Sequence, residues 1–503
     1  MSPVPPPPPV PDLDWPAERA RAFSTRVADL YGELLAGLRD LPVGRRWTAA
    51  EVREAVALEV PDEPMPEEEL LSYLREVAFR WSGYPGHPRF YAYISGSGTV
   101  PGAAADLLAA GINMNVGGWQ LAPSATEIEL HLTRWFGRAF GLPEGSGGIL
   151  TSGGAMATFV ALKVARDRAA GWDVRRQGVR GGPPLVLYLS TETHVVSERA
   201  ADMLGLGTAH VRAVPVDEGF RMRVDLLGER VRADREAGLR PFAVVGTAGT
   251  VATGAVDPLP ELADLCRDEG LWFHVDAAYG GPAVLAPDLR PLLAGIERAD
   301  SIAFDPHKWL YTPHSGGCVL VRDLEHLRAS FEVDPTYTIQ DKDLTGHGLD
   351  LGRLGPQFSR GFWALKVWVS LLAHGRSAYA RRISHDAALA RYLGARVEEH
   401  PRFELATPVN LSICCFRFVP EGLPEGPGRE GYLSLLNRRL MTELQADGRA
   451  YCSNAVLGDR FVLRACIVNH RTEAPDLDAL LEAAEELGTA LDASLRPEEL
   501  RSP

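Results

Sequence analysis

Residues 271–313 read LWFHVDAAYGGPAVLAPDLRPLLAGIERADSIAFDPHKWLYTP. Two apolar runs stand out, WFHVD and SIAF. Asp276 closes the first, and Lys308 follows the second by four positions. A short apolar run bounded by turn residues predicts a strand buried on both faces. Runs of the same kind lie around this pair: PLVLYLS (184–190), FAVVGTAGT (242–250) and GCVLVRD (317–323). Helical patterns such as TEIELHLTRWFGRAFG (126–141) and AMATFVALKVARDRAA (155–170) alternate with them. This alternation predicts an α/β architecture with a mainly parallel sheet, whose ligands bind beyond the carboxyl ends of the strands.

Outward from this stretch the pattern changes. Residues 376–503 hold NLSICCFRFVP (410–420), FVLRACIV (461–468) and several helices in looser order, which predicts a small C-terminal α+β domain. Residues 100–375 form the large domain. Residues 15–99 carry two amphipathic helical patterns and then the irregular HPRFYAYISGSGTVPG (87–102), which reads as a helical arm without its own core. Residues 1–14, MSPVPPPPPVPDLD, favour an extended disordered tail and lack the layout of a secretory leader.

The chain has 503 residues, 46% of them apolar, and a net charge of −14. That balance argues against a nucleic-acid or anionic-membrane surface. No apolar run reaches the ~18 residues that cross a bilayer. Six cysteines without a CxxC pair suggest free, buried thiols in a reducing, cytoplasmic setting. The 52 basic residues divide into 48 arginines and 4 lysines (Lys163, Lys308, Lys342 and Lys366). Arginine replaces lysine wherever only charge is needed, but not where an amine must lose a proton and attack a carbonyl.

Four candidates carry chemistry. Lys308 sits past a strand end, where a nucleophilic amine would meet a ligand; the plainer alternative is a surface ion pair. Asp276 needs a partner if buried: a helix N-cap, an internal ion pair, or the ring nitrogen of a pyridoxal cofactor. In GGILTSGGAMAT (147–158), a strand, a glycine turn and a helix start make an anion site, with Gly154 and Ala155 as amide donors. His194, in YLSTETHVVSERAA, could stack on a ring or face solvent. There is no GxxxxGK and no GxGxxG at this turn. No third ligand with suitable spacing joins His274 and Asp276, so no metal is expected. A phosphate cradle, an aromatic stacker, a carboxylate and a scarce lysine, all at strand exits, are what a pyridoxal phosphate pocket requires.

On HPRFYAY, APSATEIE (122–129), TSGGAMAT, THVVSERA, HVDAAYGG, DPHKWL, DPTY (334–337), ALKVW and FVLRACIVNHRTE, the chain resembles the group II pyridoxal-phosphate decarboxylases of the aromatic-L-amino-acid decarboxylase type. The resemblance implies PLP-dependent transferase fold type I with a seven-stranded sheet in the large domain, and a homodimer with an arm that wraps its neighbour. It implies that Lys308 forms the Schiff base, Asp276 pairs with the pyridine nitrogen, and Ala278 and His194 pack on the two ring faces. Thr250 supports the site and His307 lies by the phosphate. Tyr337, on a lid that closes across the subunit interface, protonates the substrate carbon. Four positions depart from the family pattern: Ala155 lacks the serine hydroxyl of many relatives, Asp305 stands for the asparagine of the animal enzymes, and Gly96 and Gly117 stand for their threonine and phenylalanine near the substrate.

The function so implied is decarboxylation of an L-amino acid, with aromatic side chains favoured. Alternatives are an oxidative deaminase making an aldehyde, an aminotransferase with Arg464 as carboxylate clamp, and a non-catalytic cofactor-binding protein.

Overall fold

In the computed structural model of the chain, residues 5–8, 13–333 and 348–501 are described. Of the proline-rich tail, residues 5–8, 13 and 14 fall within them and are exposed. Tyr337, the rest of DPTY and Lys342 lie outside the described residues.

The large sheet contains β1 (Gly147–Thr151), β2 (Leu185–Ser190), β3 (Val211–Val214), β4 (Arg240–Thr247), β5 (Trp272–Asp276), β6 (Ser301–Phe304) and β7 (Gly317–Val321), in the order β1-β7-β6-β5-β4-β2-β3. Neighbours from β6 through β5, β4 and β2 to β3 are parallel. β7 runs antiparallel to both β6 and β1. The expected mainly parallel, seven-stranded α/β sheet is therefore present. β7 is its exception for a simple reason: only twelve residues, 305–316, join it to β6, and no helix crosses between them. That tight return carries Lys308.

A second sheet contains β8 (Phe403–Leu405), β9 (Ile413–Phe418), β10 (Ser453–Leu457) and β11 (Arg460–Cys466), all antiparallel, in the order β10-β11-β9-β8. Helices Arg429–Asp447 and Ala474–Leu495 pack on it, with Leu436, Leu440, Leu444, Leu477 and Leu480 in one apolar cluster. Helix Trp363–Glu399 reaches from the large sheet to the small one and breaks at Gly375, whose φ of +72° favours glycine.

Among the described residues three α-helices precede residue 100, not two. The addition, Ala49–Val56, is short and starts on a capping box between Thr48 and Glu51. Helices Ala17–Gly37 and Ala49–Val56 bury no residue fully, and Glu67–Arg80 buries only Leu71. All six cysteines are free and buried. No helix among the described residues is long and apolar enough to cross a membrane.

Candidate active site

A cavity of about 580 Å³ opens at the carboxyl ends of β4, β5 and β6. Asp276 is the last residue of β5 and is 5% exposed. Its Oδ1 accepts from the amide of Ala278 at 3.0 Å, which fixes the carboxylate plane. Lys308 stands four residues past β6, with Nζ 3.1 Å from Asp305 Oδ2. Both line the cavity, as do His194, Ala278 and His307.

Gly154 and Ala155, also on the cavity wall, begin helix Gly154–Ala169. The first amides of a helix have no intrahelical partner, and the helix dipole points its positive end here. A Cβ on Gly154 would stand 2.6 Å from Asp305 Oδ2, so the backbone comes closer than any side chain would permit. His194 Nδ1 accepts from the amide of Val196 at 3.3 Å. Burial holds its imidazole below the ordinary pKa, favouring a neutral ring suited to stacking. His307 is buried, donates from Nδ1 to the Gly316 carbonyl at 2.5 Å, and is likewise pushed down by burial.

Behind the cavity the chain is clamped. Trp309 stacks on Tyr279 at 5.2 Å and 20°. Trp309 Nε1 and Tyr311 OH, just after Lys308 in the chain, both donate to Asp386 Oδ2, at 3.0 and 2.6 Å. Arg382 donates to the other oxygen of Asp386 at 2.9 Å. The Lys308 and Asp276 segments thus share one rigid backing, which is how a site holds reacting groups in register.

Three expected positions sit elsewhere. Thr250 is buried off the cavity, its hydroxyl 3.0 Å from that of Thr253; Thr247, at the end of β4, is the threonine on the wall. Gly96 and Gly117 are not among the lining residues, and packing dictates both. A Cβ on Gly96 would come within 2.4 Å of the carbonyl oxygens of His307 and Lys308, and one on Gly117 within 1.8 Å of Phe358 O.

The remaining wall comes from the segment around Tyr93, from β10 and β11, and from the turn before β7. Tyr93 lines the rim with φ of +56°, a strained conformation for tyrosine. Asn454 and Val456 contribute from β10, and His314 from the turn before β7. Arg464, on β11, is more telling. Of the three arginines buried among the described residues, Arg360 pairs with Glu129 and Arg417 with Glu404 and Glu430, while Arg464 has no carboxylate partner. Its Nη1 donates to Tyr93 O and Ser453 Oγ at 3.0 and 3.1 Å, and Nε and Nη2 are buried with no acceptor. A desolvated cation with two idle donors on a cavity wall calls for an anionic ligand.

Comparison with known proteins agrees with this geometry. The family model described as "Pyridoxal-dependent decarboxylase conserved domain" matches residues 50–419. The chain is 34% identical to an aromatic-L-amino-acid decarboxylase of Bacillus atrophaeus, over 93% of this chain and 95% of that one. It is 30% identical to a phenylacetaldehyde synthase of a Rosa hybrid cultivar, over 91% of each. The crystal structure of Oryza sativa TDC with PLP and tryptamine superposes with a TM-score of 0.88 at 29% identity, covering 95% of this chain and 99% of that one.

Proposed function

The chain belongs to the pyridoxal-dependent decarboxylase family, and from that premise we propose that it converts an aromatic L-amino acid to the corresponding amine and CO2. Pyridoxal 5'-phosphate is the cofactor of the family, and the residues present fit it. The cavity offers one amine, two buried carboxylates of which Asp276 accepts from the amide of Ala278, and a helix start at Gly154. When bound, the cofactor supplies an aldehyde for amines and a ring that draws in the electron pair left at the substrate carbon.

In this reading Lys308 is the amine that holds the cofactor between turnovers. Asp276 would pair with the ring nitrogen and hold a proton there, a preorganised electrostatic contribution. His194 and Ala278, both on the cavity wall, would supply the surfaces that hold the ring. The amides of Gly154 and Ala155, with His307, face the phosphate, and Thr250 braces the turn beside Thr247. Arg464 meets the incoming carboxylate. Tyr337, from the partner subunit's lid, returns the proton to carbon. The apolar wall of Ile94, Val251 and Ala252 favours departure of neutral CO2.

A homodimer fits the exposed apolar residues Leu107, Leu108 and Ile112 on helix Val100–Ile112, with Leu372 likewise exposed. The free cysteines agree with a cytoplasmic setting. Likeness to a phenylacetaldehyde synthase keeps one second reading alive, oxidative deamination to the aldehyde.

The observation that carries the proposal is the meeting of Lys308, Asp276 and a free helix start in one cavity. The test is product analysis on tyrosine, tryptophan, phenylalanine and dopa, with parallel assays for amine, CO2, aldehyde and peroxide. Amine with equimolar CO2 supports it. Aldehyde with peroxide selects the second reading, and no CO2 from any amino acid defeats both.

A further inference from the structure

Asp305 stands where an anion is least expected beside a phosphate site. It is 2% exposed, and its Oδ2 packs against Gly154, the first residue of helix Gly154–Ala169. The positive end of the helix favours an anion there. The same oxygen is 3.1 Å from Lys308 Nζ and 4.0 Å from His307 Nε2. Oδ1 is buried without a hydrogen-bond partner. The main chain gives it little freedom: Asp305 N donates to Ala278 O at 3.1 Å, and Lys308 N donates back to Asp305 O at 3.0 Å.

One carboxylate thus answers two positive elements, the helix start and the lysine amine. These are the same two that the cofactor must claim, the first for its phosphate and the second for its aldehyde. We propose that Asp305 is a built-in competitor for the cofactor: in the cofactor-free protein it holds both charge partners, and it weakens retention of the phosphorylated form. The inference rests on pyridoxal phosphate being the cofactor and adds a residue that sets how tightly it is held. Loading removes Lys308 from Asp305 and brings a phosphate dianion up to a carboxylate that already has one idle oxygen. Besides Lys308 and Asp305, the ionisable side chains on this cavity are Tyr93, His194, Asp276, Tyr279, His307, His314 and Arg464. The three imidazoles are each disposed to be neutral by burial, Asp276 is itself an acid, and Arg464 places Nη1 on Tyr93 O and Ser453 Oγ, so Lys308 is the cation paired with Asp305.

The experiment measures equilibrium binding of pyridoxal phosphate, and of pyridoxal without the phosphate, to cofactor-stripped wild type and Asp305→Asn. The variant should bind pyridoxal phosphate about tenfold more tightly, because one negative charge close to a dianion is gone. Its gain for pyridoxal should be less than about threefold, since only the pairing with Lys308 is then released. A variant that binds pyridoxal phosphate no more tightly, or that gains equally for both ligands, overturns the proposal. Inorganic phosphate alone gives a second readout and should raise the melting temperature of the stripped variant more than that of wild type; equal shifts count against it. If Asp305→Asn does not fold, Asp305→Ser is read by the same criteria. If wild type takes up no pyridoxal phosphate, the cofactor reading falls and this inference with it. If wild type binds and the variant gains nothing, only this inference falls.

Discussion

Replacing Glu129 by glutamine should destabilise the large sheet more than almost any other single isosteric change. Glu129 is fully buried on helix Pro123–Phe140, and Arg360 is 3% exposed. Glu129 Oε1 accepts from Arg360 Nη2 and from the amide of Leu150 at 2.8 Å, while Arg360 Nη2 also donates to Leu150 O at 3.1 Å. The pair therefore holds both polar groups of a β1 residue that lies four positions before Gly154. Removing one partner leaves a guanidinium buried without a counter-charge, at a cost of about 3–5 kcal/mol. For a cooperative unit of roughly 250 residues, about 2 °C of melting temperature accompanies each kcal/mol, so Glu129→Gln should melt about 6–10 °C lower. The assay is calorimetry of the cofactor-free protein, with Glu129→Gln, Arg360→Met and the double variant in one cycle. The double variant removes both charges and should recover most of the loss. A shift under about 2 °C for the single variant, or a double variant that melts at the sum of the two singles, would refute the reasoning.

Lys308→Ala should abolish amine formation, and borohydride should no longer tag the peptide containing residue 308; residual turnover near the wild-type rate contradicts its role. Arg464→Met should lower kcat/KM about 10–100-fold while leaving the melting temperature unchanged or higher, because it removes an unpaired buried charge; a large stability loss with unchanged kinetics makes it structural. Tyr337→Phe should move product from amine to aldehyde, read by parallel amine and peroxide assays, and an unchanged amine yield removes the proton-donor assignment. His274 is fully buried with its pKa pushed down to about 4, so the folded form resists a proton that the unfolded chain accepts from about pH 6.5 downward. Its contribution is intact above pH 6.5 and shrinks as pH falls toward 4. The stability gap between wild type and His274→Gln should narrow between pH 7.5 and 5, and a gap that widens reverses the sign.

The central part of the fold was legible because the chemistry sits on its punctuation. Asp276 and Lys308 each follow an apolar run, and the scarcity of lysine made position 308 conspicuous. The glycine turn before helix Gly154–Ala169 could be read from TSGG alone. What stayed hidden has physical reasons. In strand β10 polarity does not follow burial, with Ser453 buried and Val456 exposed, so Asn454 and Val456 gave no signal. Arg464 was noticed only as a clamp for a different reaction, because burial without a counter-ion cannot be seen in a linear string. The third helix of the arm announced itself through Thr48 and Glu51, a capping signature that was available and passed over. The carbonyls that crowd Gly96 and Gly117, from His307, Lys308 and Phe358, are ones that only the folded chain brings near.

The contrast between floor and rim has a consequence for how such a protein changes over generations. The carbonyls of His307 and Lys308 press on Gly96, and the Asp305 carboxylate on Gly154, so closely that a side chain at either position disturbs the reactive lysine or its neighbour. Tyr93, Asn454 and Val456 face open space, and larger or smaller groups fit at each without touching that machinery. Diversification of the accepted molecule can therefore proceed one rim position at a time, while the bond-breaking step is inherited intact.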